Sequence, residues 1–387
     1  MKKFTTLTLL LLSMITMTSN IAIATALPFI KEHFAHADNI DFYSKLMLTL
    51  PSAAVAILAP ILGHLIFNFG KKKSAIFALF LFSLSGSAGL YLESIDLLLL
   101  SRILFGASIA ILMIVTTSLV GDYYKDEERN KYMGYQMAFM ATGGVLFVVL
   151  GGIVSDISWR LSFGIYLIGV LLLPLAFRYL KEIPLQSITH DKDEALDSNM
   201  YGIYFLSFFY MLIFFILHTQ VPFLLIEKFD ISGSQTGLII AVAFVSNAFG
   251  AIYFSKLKSR YSFTYIYLLV LGLLGIGYLI IAMASNMYYF FVSNLIVGFA
   301  GGVMMTNVTA WMLSKTDAAK RVKASAYFTS SLFLGQFLSP IVFYPLVSNM
   351  RVQNFFLLIG LVLFVIVILA KFYLRNKKKI TILINKG

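Results

Sequence analysis

Apolar runs of about twenty residues recur from one end of this sequence to the other, and a helix of that length spans the hydrocarbon core of a bilayer. Twelve runs are legible: 5–30, 44–68, 74–93, 98–120, 132–154, 160–180, 201–221, 235–255, 263–284, 288–312, 324–346 and 353–374. They lack the alternation of a barrel strand. In lipid each backbone N–H and C=O must be paired within its own segment, so the runs read as helices. The predicted fold is an all-α membrane protein with 12 transmembrane helices. Only 12% of the 387 residues are charged, about half the share of a soluble domain. The first run imitates a secretion signal, with Lys2 and Lys3 ahead of it and "AIATA" near its end. It is too long for the apolar core of such a signal and reads as an uncleaved first span.

The formal net charge is +12. In a soluble protein that balance would raise nucleic-acid binding. The placement of the charges argues instead for no nucleic acid. With the N-terminus in the cytoplasm, 24 of the 30 lysines and arginines fall on cytoplasmic segments, in groups such as 71–73, 256–260 and 371–386. That is the positive-inside bias of a multi-pass protein of the cell membrane with both termini cytoplasmic. The tail "RNKKKITILINKG" would sit near anionic lipid. The absence of cysteine excludes disulfides, thiol catalysis and cysteine metal sites. No His-Glu-x-x-His, Gly-x-Ser-x-Gly or Gly-x-x-x-x-Gly-Lys pattern is present, so no enzyme chemistry is read. His33, His36 and Asp38 share the first outer loop but read as plain loop. No metal and no cofactor is expected.

The most polar stretch, "KEIPLQSITHDKDEALDSN" at 181–199, divides the chain nearly in half. It predicts an N-terminal six-helix bundle at 1–180, a cytoplasmic linker at 181–200, a C-terminal six-helix bundle at 201–374 and a basic tail at 375–387. An offset of 192 places Ser101 on Ser293, Gly106 on Gly298, Arg129 on Arg321, Lys131 on Lys323, Tyr135 on Tyr327 and Gly143 on Gly335. An offset of 194 places Thr25, Pro28 and Phe29 on Thr219, Pro222 and Phe223. Identities in this order, in corresponding helices, predict two pseudo-symmetric, parallel halves. Parallel halves around a midplane site are one transporter architecture.

Four stretches then resemble the major facilitator superfamily, and the resemblance covers essentially the whole chain. "GHLIFNFGKKK" is similar to that family's loop between helices 2 and 3. Gly63, Leu65, Gly70, Lys71 and Lys72 are in place, and Phe67 stands where the family has Asp. "SRILFGASIA" resembles the helix 4 motif of proton-coupled members, with Arg102 and Gly106 matching. "DYYKDEERNKYMGY" is similar to the loop after helix 4, through Asp122, Glu128, Arg129 and Gly134. "GGVLFVVLGGIVSDISWRLSF" resembles the helix 5 motif of the 12-helix drug:proton antiporter branch. Gly143, Gly151, Gly152, Trp159, Arg160 and Phe163 match, while Phe147-Val148 replaces the middle Gly-Pro.

Physical readings stand beside these. Gly143, Gly151 and Gly152 make a small-residue face for close helix crossing. Arg102, near a span's start, either faces a cavity or partner or snorkels to the interface. No Asp or Glu lies near the middle of any span, which argues against recognition of cationic drugs by a buried acid. His64 and His218 are the histidines within spans, and each could titrate or serve as a hydrogen-bonded structural group. Neutral polar residues occupy the interior instead: Asn20, Gln136, Asn307 and Gln336. Met113, Phe139, Phe208, Phe215, Met304 and Trp311 accompany them, a set suited to an amphipathic ligand or to plain packing.

The expectation is a secondary active transporter that exports amphipathic small molecules against protons by alternating access. Sugar, siderophore or organic-anion transport is the alternative, and a non-transporting polytopic protein ranks below both. Expected partners are a small-molecule substrate, protons and membrane lipids, with the chain monomeric. The coupling and gating set is Gly63, Gly70, Lys71, Arg102, Asp122, Arg129, Gly143, Gly151, Gly152 and Arg321. With Phe67 in the acid position, Asp122 is the acid left for Lys71 or a neighbour to meet.

Overall fold

The structure is a computed structural model that describes residues 2–18, 21–124, 126–182, 199–316 and 321–384. Among these, helix is the only regular secondary structure, joined by short turns. The α-helices are α1 (Lys2–Thr18), α2 (Leu27–His33), α3 (Ile40–Phe69), α4 (Lys71–Gly86), α5 (Ile95–Tyr123), α6 (Asp126–Ile157), α7 (Trp159–Gly164) and α8 (Ile168–Tyr179). The second part holds α9 (Asn199–Phe223), α10 (Gly233–Lys258), α11 (Phe263–Ala282), α12 (Met287–Ser314), α13 (Arg321–Asn349) and α14 (Val352–Ile384). Eleven helical stretches are long and apolar enough to cross a membrane, and the shorter apolar helix Lys3–Thr16 accompanies them. This agrees with the expected twelve-helix architecture. Side chains such as Ile57, Leu171, Ile252 and Phe249 stand exposed along the helices, as lipid-facing surface requires.

The first span departs from the single run expected at 5–30. It is α1, a short 3₁₀ turn at Ala24–Ala26, and then α2. Pro28 lies in the first turn of α2, where a missing N–H leaves no bond unmade; further into one continuous helix it would cost a hydrogen bond and a clash. A similar device ends α9. Pro222 lies in its last turn, a π-helical turn Leu224–Lys228 follows, and Asp230 takes a φ of 52° to leave it.

By backbone proximity the chain gathers into two compact units, Met1–Ala241 with Met312–Tyr344, and Val242–Trp311 with Pro345–Gly387. In the first, α5 packs on α3 and α4, and α1 on α6. A Cβ on Gly106 would collide with the Pro51 carbonyl, so α5 and α3 cross at backbone distance. In the second unit a Cβ on Gly298 would meet the Ala243 carbonyl. Gly298 and Ala243 are Gly106 and Pro51 advanced by 192. The sequence repeat is therefore also a repeat of helix contacts.

Candidate functional site

Three polar assemblies stand out against the apolar helices. The first is at the face holding the lysines 71–73. Gly70, the N-cap of α4, has a φ of 90° and offers no side chain of its own to close the helix start. Three lysines in a first helical turn oppose the helix dipole. Two carboxylates answer them. Lys71 Nζ lies 2.5 Å from Asp122 Oδ2 at the end of α5, with the lysine nearly buried. The Lys72 N–H donates to both oxygens of Glu182, at 3.2 and 3.4 Å. The Tyr123 hydroxyl donates to the Lys181 carbonyl at 2.7 Å and accepts from the Lys181 N–H at 2.8 Å. Burial pushes the Tyr123 hydroxyl above its ordinary pKa. The starts and ends of α4, α5 and α8 are thus tied into one cluster.

The second assembly is at the opposite face. Lys31, in the last turn of α2, bridges Asp41 on α3 at 2.7 Å and Glu227 beyond α9 at 3.0 Å. Burial works to lower the Lys31 pKa, but the bonds to Asp41 and Glu227 leave it above 10.5. Asp156, at the end of α6, accepts from the N–H groups of Gly233 and Ser234 at 2.5 and 2.9 Å. Its carboxylate closes the first turn of α10. Arg160 adds a pair to Glu93 at 2.7 Å and donates to the carbonyls of Gly89 and Leu92.

The third lies within the helices. Arg102 is fully buried. It donates to the carbonyls of Ser85 and Gly86 at the end of α4, both at 2.8 Å. Its guanidinium lies over the rings of Phe105, Phe163 and Tyr166, 4.8 to 5.5 Å from their centroids. Of the alternatives weighed from the sequence, the partner describes this position rather than an open cavity or the lipid interface: Arg102 ties α5 to the backbone of α4. Lys45 on α3 is also buried, with its ammonium 5.2 Å from the Phe223 ring centroid.

In the first unit Gln136 donates to Ser13 at 2.8 Å, joining α6 to α1. Met113 and Phe139 pack on the core that holds Phe215. Phe215 stacks on His218 at 5.0 Å. Gln336 is buried on α13, and the backbone of the half-buried Phe208 meets Gly335. In the second unit Met304 is buried, Asn307 donates to the Phe263 carbonyl at 3.1 Å, and Trp311 lies parallel to the Phe263 ring at 5.8 Å. Gly143 is buried in α6. A Cβ on Gly151 would meet the Ala22 carbonyl, and one on Gly152 the Gly233 carbonyl. Asn20 lies outside the described residues. Gly63 and His64 on α3, Arg129 on α6 and Arg321 on α13 are described only in their backbone. Sequence reasoning missed Glu182, Glu227 and the Asp156 cap. Their partners are remote in the chain, and no spacing announces them.

A family model described as the Major Facilitator Superfamily matches residues 9–197 and 203–383. Over 107 residues the chain is 35% identical to multidrug resistance protein 2 of Bacillus subtilis, a match that covers 28% of this chain and 27% of that protein. The chain thus matches about a quarter of that relative's length. The class H tetracycline resistance protein of Pasteurella multocida is 23% identical over 372 residues, covering 91% of each chain. Among solved structures, the inward open xylose transporter XylE from E. coli superposes with a TM-score of 0.76 at 15% identity, covering 94% of both chains.

Proposed function

This chain belongs to the major facilitator superfamily, which makes it a multi-pass membrane transporter of small molecules rather than an enzyme; from that premise we propose that it exports amphipathic compounds in exchange for protons. The observation that carries this reading is the alignment over 91% of both chains with a tetracycline resistance protein. Two features support it. The glycines of the antiporter-like motif, Gly151 and Gly152, sit at backbone-to-backbone contacts. The polar groups within the helices are predominantly neutral, as recognition of an amphipathic substrate by shape and a few hydrogen bonds requires.

In the proposed cycle residues 1–180 rock against 201–387 around a midplane cavity, opening the lysine-rich cytoplasmic face and the opposite face in turn. Lys71 and Asp122 brace the first of these faces. Residues Asn20, Met113, Gln136, Phe139, Phe208, Phe215, Met304, Asn307, Trp311 and Gln336 are the proposed substrate contacts.

The test is flux into proteoliposomes with an imposed pH gradient. An acidic lumen is expected to drive accumulation of an amphipathic dye, and an ionophore that collapses the gradient to abolish it. No gradient-dependent flux across a broad compound panel would overturn the proton-exchange reading. Organic-anion export is the second reading, favoured by buried Lys45. Its ammonium has no carboxylate at salt-bridge distance among the described residues. Flux of organic anions but not of neutral or cationic dyes would select it.

A further inference from the structure

Of the gating residues foreseen from the sequence, Gly70, Lys71 and Asp122 lie at the face of lysines 71–73. The opposite face must also open if the chain alternates its access, and something must hold it shut. We propose that Asp156 is a gating residue for that face, acting as a latch in which the α6 carboxylate caps the first turn of α10. The inference rests on the alternating-access reading above.

Four observations carry it. Asp156 is the last acid of the predicted N-terminal half, and the residues it binds, Gly233 and Ser234, lie in the C-terminal half. Its two oxygens take one N–H each, at 2.5 and 2.9 Å. These are among the N–H groups that the start of a helix leaves without an internal partner, and a carboxylate there also meets the positive end of the helix dipole. The backbones below are shaped for the contact. A Cβ on Gly152 would collide with the Gly233 carbonyl, one on Gly233 with the Ser155 hydroxyl, and one on Gly237 with the Val148 carbonyl. Gly233 and Gly237 are four residues apart, so one face of α10 rests on α6 over a full turn. Finally, the Lys31–Glu227 bridge at the same face also links the two sequence halves, so the Asp156 contact is joined by a second charged tie.

The latch is specific in chemistry. Aspartate supplies two acceptors on a short stem, whereas asparagine offers one acceptor and brings an NH₂ group against two N–H donors. Opening this face would separate α6 from the start of α10 and leave both N–H groups to water. Removing the carboxylate therefore stabilises the open arrangement relative to the closed one without touching the substrate.

The chain has no cysteine, so a single introduced thiol reports without background. Thr236 is fully buried on α10, and its hydroxyl has no hydrogen-bond partner among the described residues. In full-length Thr236→Cys protein purified in detergent, the rate of maleimide labelling reads opening of the contact. Adding Asp156→Ala or Asp156→Asn is expected to raise that rate about fivefold, the scale set by losing a helix cap. Adding Asp156→Glu is expected to change it less than about twofold. The series is repeated with Lys31→Gln, which removes the second tie. Monodisperse elution of each variant separates opening from unfolding, and the asparagine variant serves if the alanine variant does not fold. Rates within about twofold of the parent in both backgrounds would overturn the latch. Labelling needs no substrate, so the two readings fail separately. Raised labelling with no flux in the unaltered chain removes the transport reading, and flat labelling with intact flux removes the latch.

Discussion

Lys71 is a nearly buried ammonium whose partner, Asp122, comes from fifty-one residues along the chain. A partly buried pair of this kind is expected to couple by about 1 kcal/mol. A double-mutant cycle with Lys71→Gln and Asp122→Asn, read by thermal unfolding in detergent, measures that coupling. In flux assays at equal expression Asp122→Asn should impair transport more than Glu127→Gln, and equal activity would remove Asp122 from the gate. Arg102 makes a stricter demand. One guanidinium nitrogen, Nη2, serves two adjacent carbonyls while the delocalised cation lies within 5.5 Å of three ring centroids. Lysine's compact, strongly hydrated ammonium does not reproduce both at once. Arg102→Lys is expected to destabilise the protein by about 2 kcal/mol, visible as a lower melting temperature. Lys31 tests the sign of a pH effect. Its pKa is raised in the folded protein, so its stabilising contribution is complete below the unfolded value and is lost only as pH climbs through the raised one. Lys31→Gln should therefore leave the slope of flux against pH unchanged between about pH 6 and pH 8. Of these residues, the pairing of Lys71 with Asp122 was legible in the sequence, because Phe67 removed the nearer acid. The carbonyls under Arg102 were not, because backbone acceptors carry no signature in sequence.

Helices here meet where side chains are missing. Gly106 and Gly298 each admit a carbonyl from a neighbouring helix, Pro51 in one case and Ala243 in the other. Gly272 has nothing within 4 Å of the place a Cβ would take. Gly106→Ala and Gly298→Ala should each cost about 1–3 kcal/mol through overpacking, whereas Gly272→Ala should be neutral or gain up to about 1 kcal/mol of helix propensity. Thermal melts of the three variants decide this, and equal effects at all three would mean that the glycines act through the backbone of their own helix. The offset of 192 revealed these positions because both copies of a close crossing need the same missing atom. The division of the first span was harder to read. Pro28 is plainly visible in "TALPFI", but hydropathy alone does not distinguish one bent run from two helices. The cap on α10 was harder still, since a helix start can be closed by any acceptor the fold brings to it.

At the scale of the whole molecule, the charge pattern makes a claim that the helices alone do not. Eleven long apolar stretches and a shorter one support a chain that crosses a membrane many times, and the placement of the lysines and arginines proposes the sides. If loops bearing lysine clusters remain in the cytoplasm, then exposed positions at alternate helix ends must answer oppositely to a reagent that cannot enter the cell. Lys73 and Arg260 are exposed at helix ends that the charge pattern predicts to be cytoplasmic, and Asp96 and Ser285 at helix ends that it predicts to be outside. Each can be replaced by the only cysteine in the chain. On intact cells an impermeant maleimide should label Asp96→Cys and Ser285→Cys, and should reach Lys73→Cys and Arg260→Cys only after permeabilisation. The reverse pattern would invert the molecule. The Asp156 cap and the Lys31–Glu227 bridge would then close the cytoplasmic face, the Lys71–Asp122 pair would guard the outside, and the proposed direction of proton-driven flux would have to be reassigned with them.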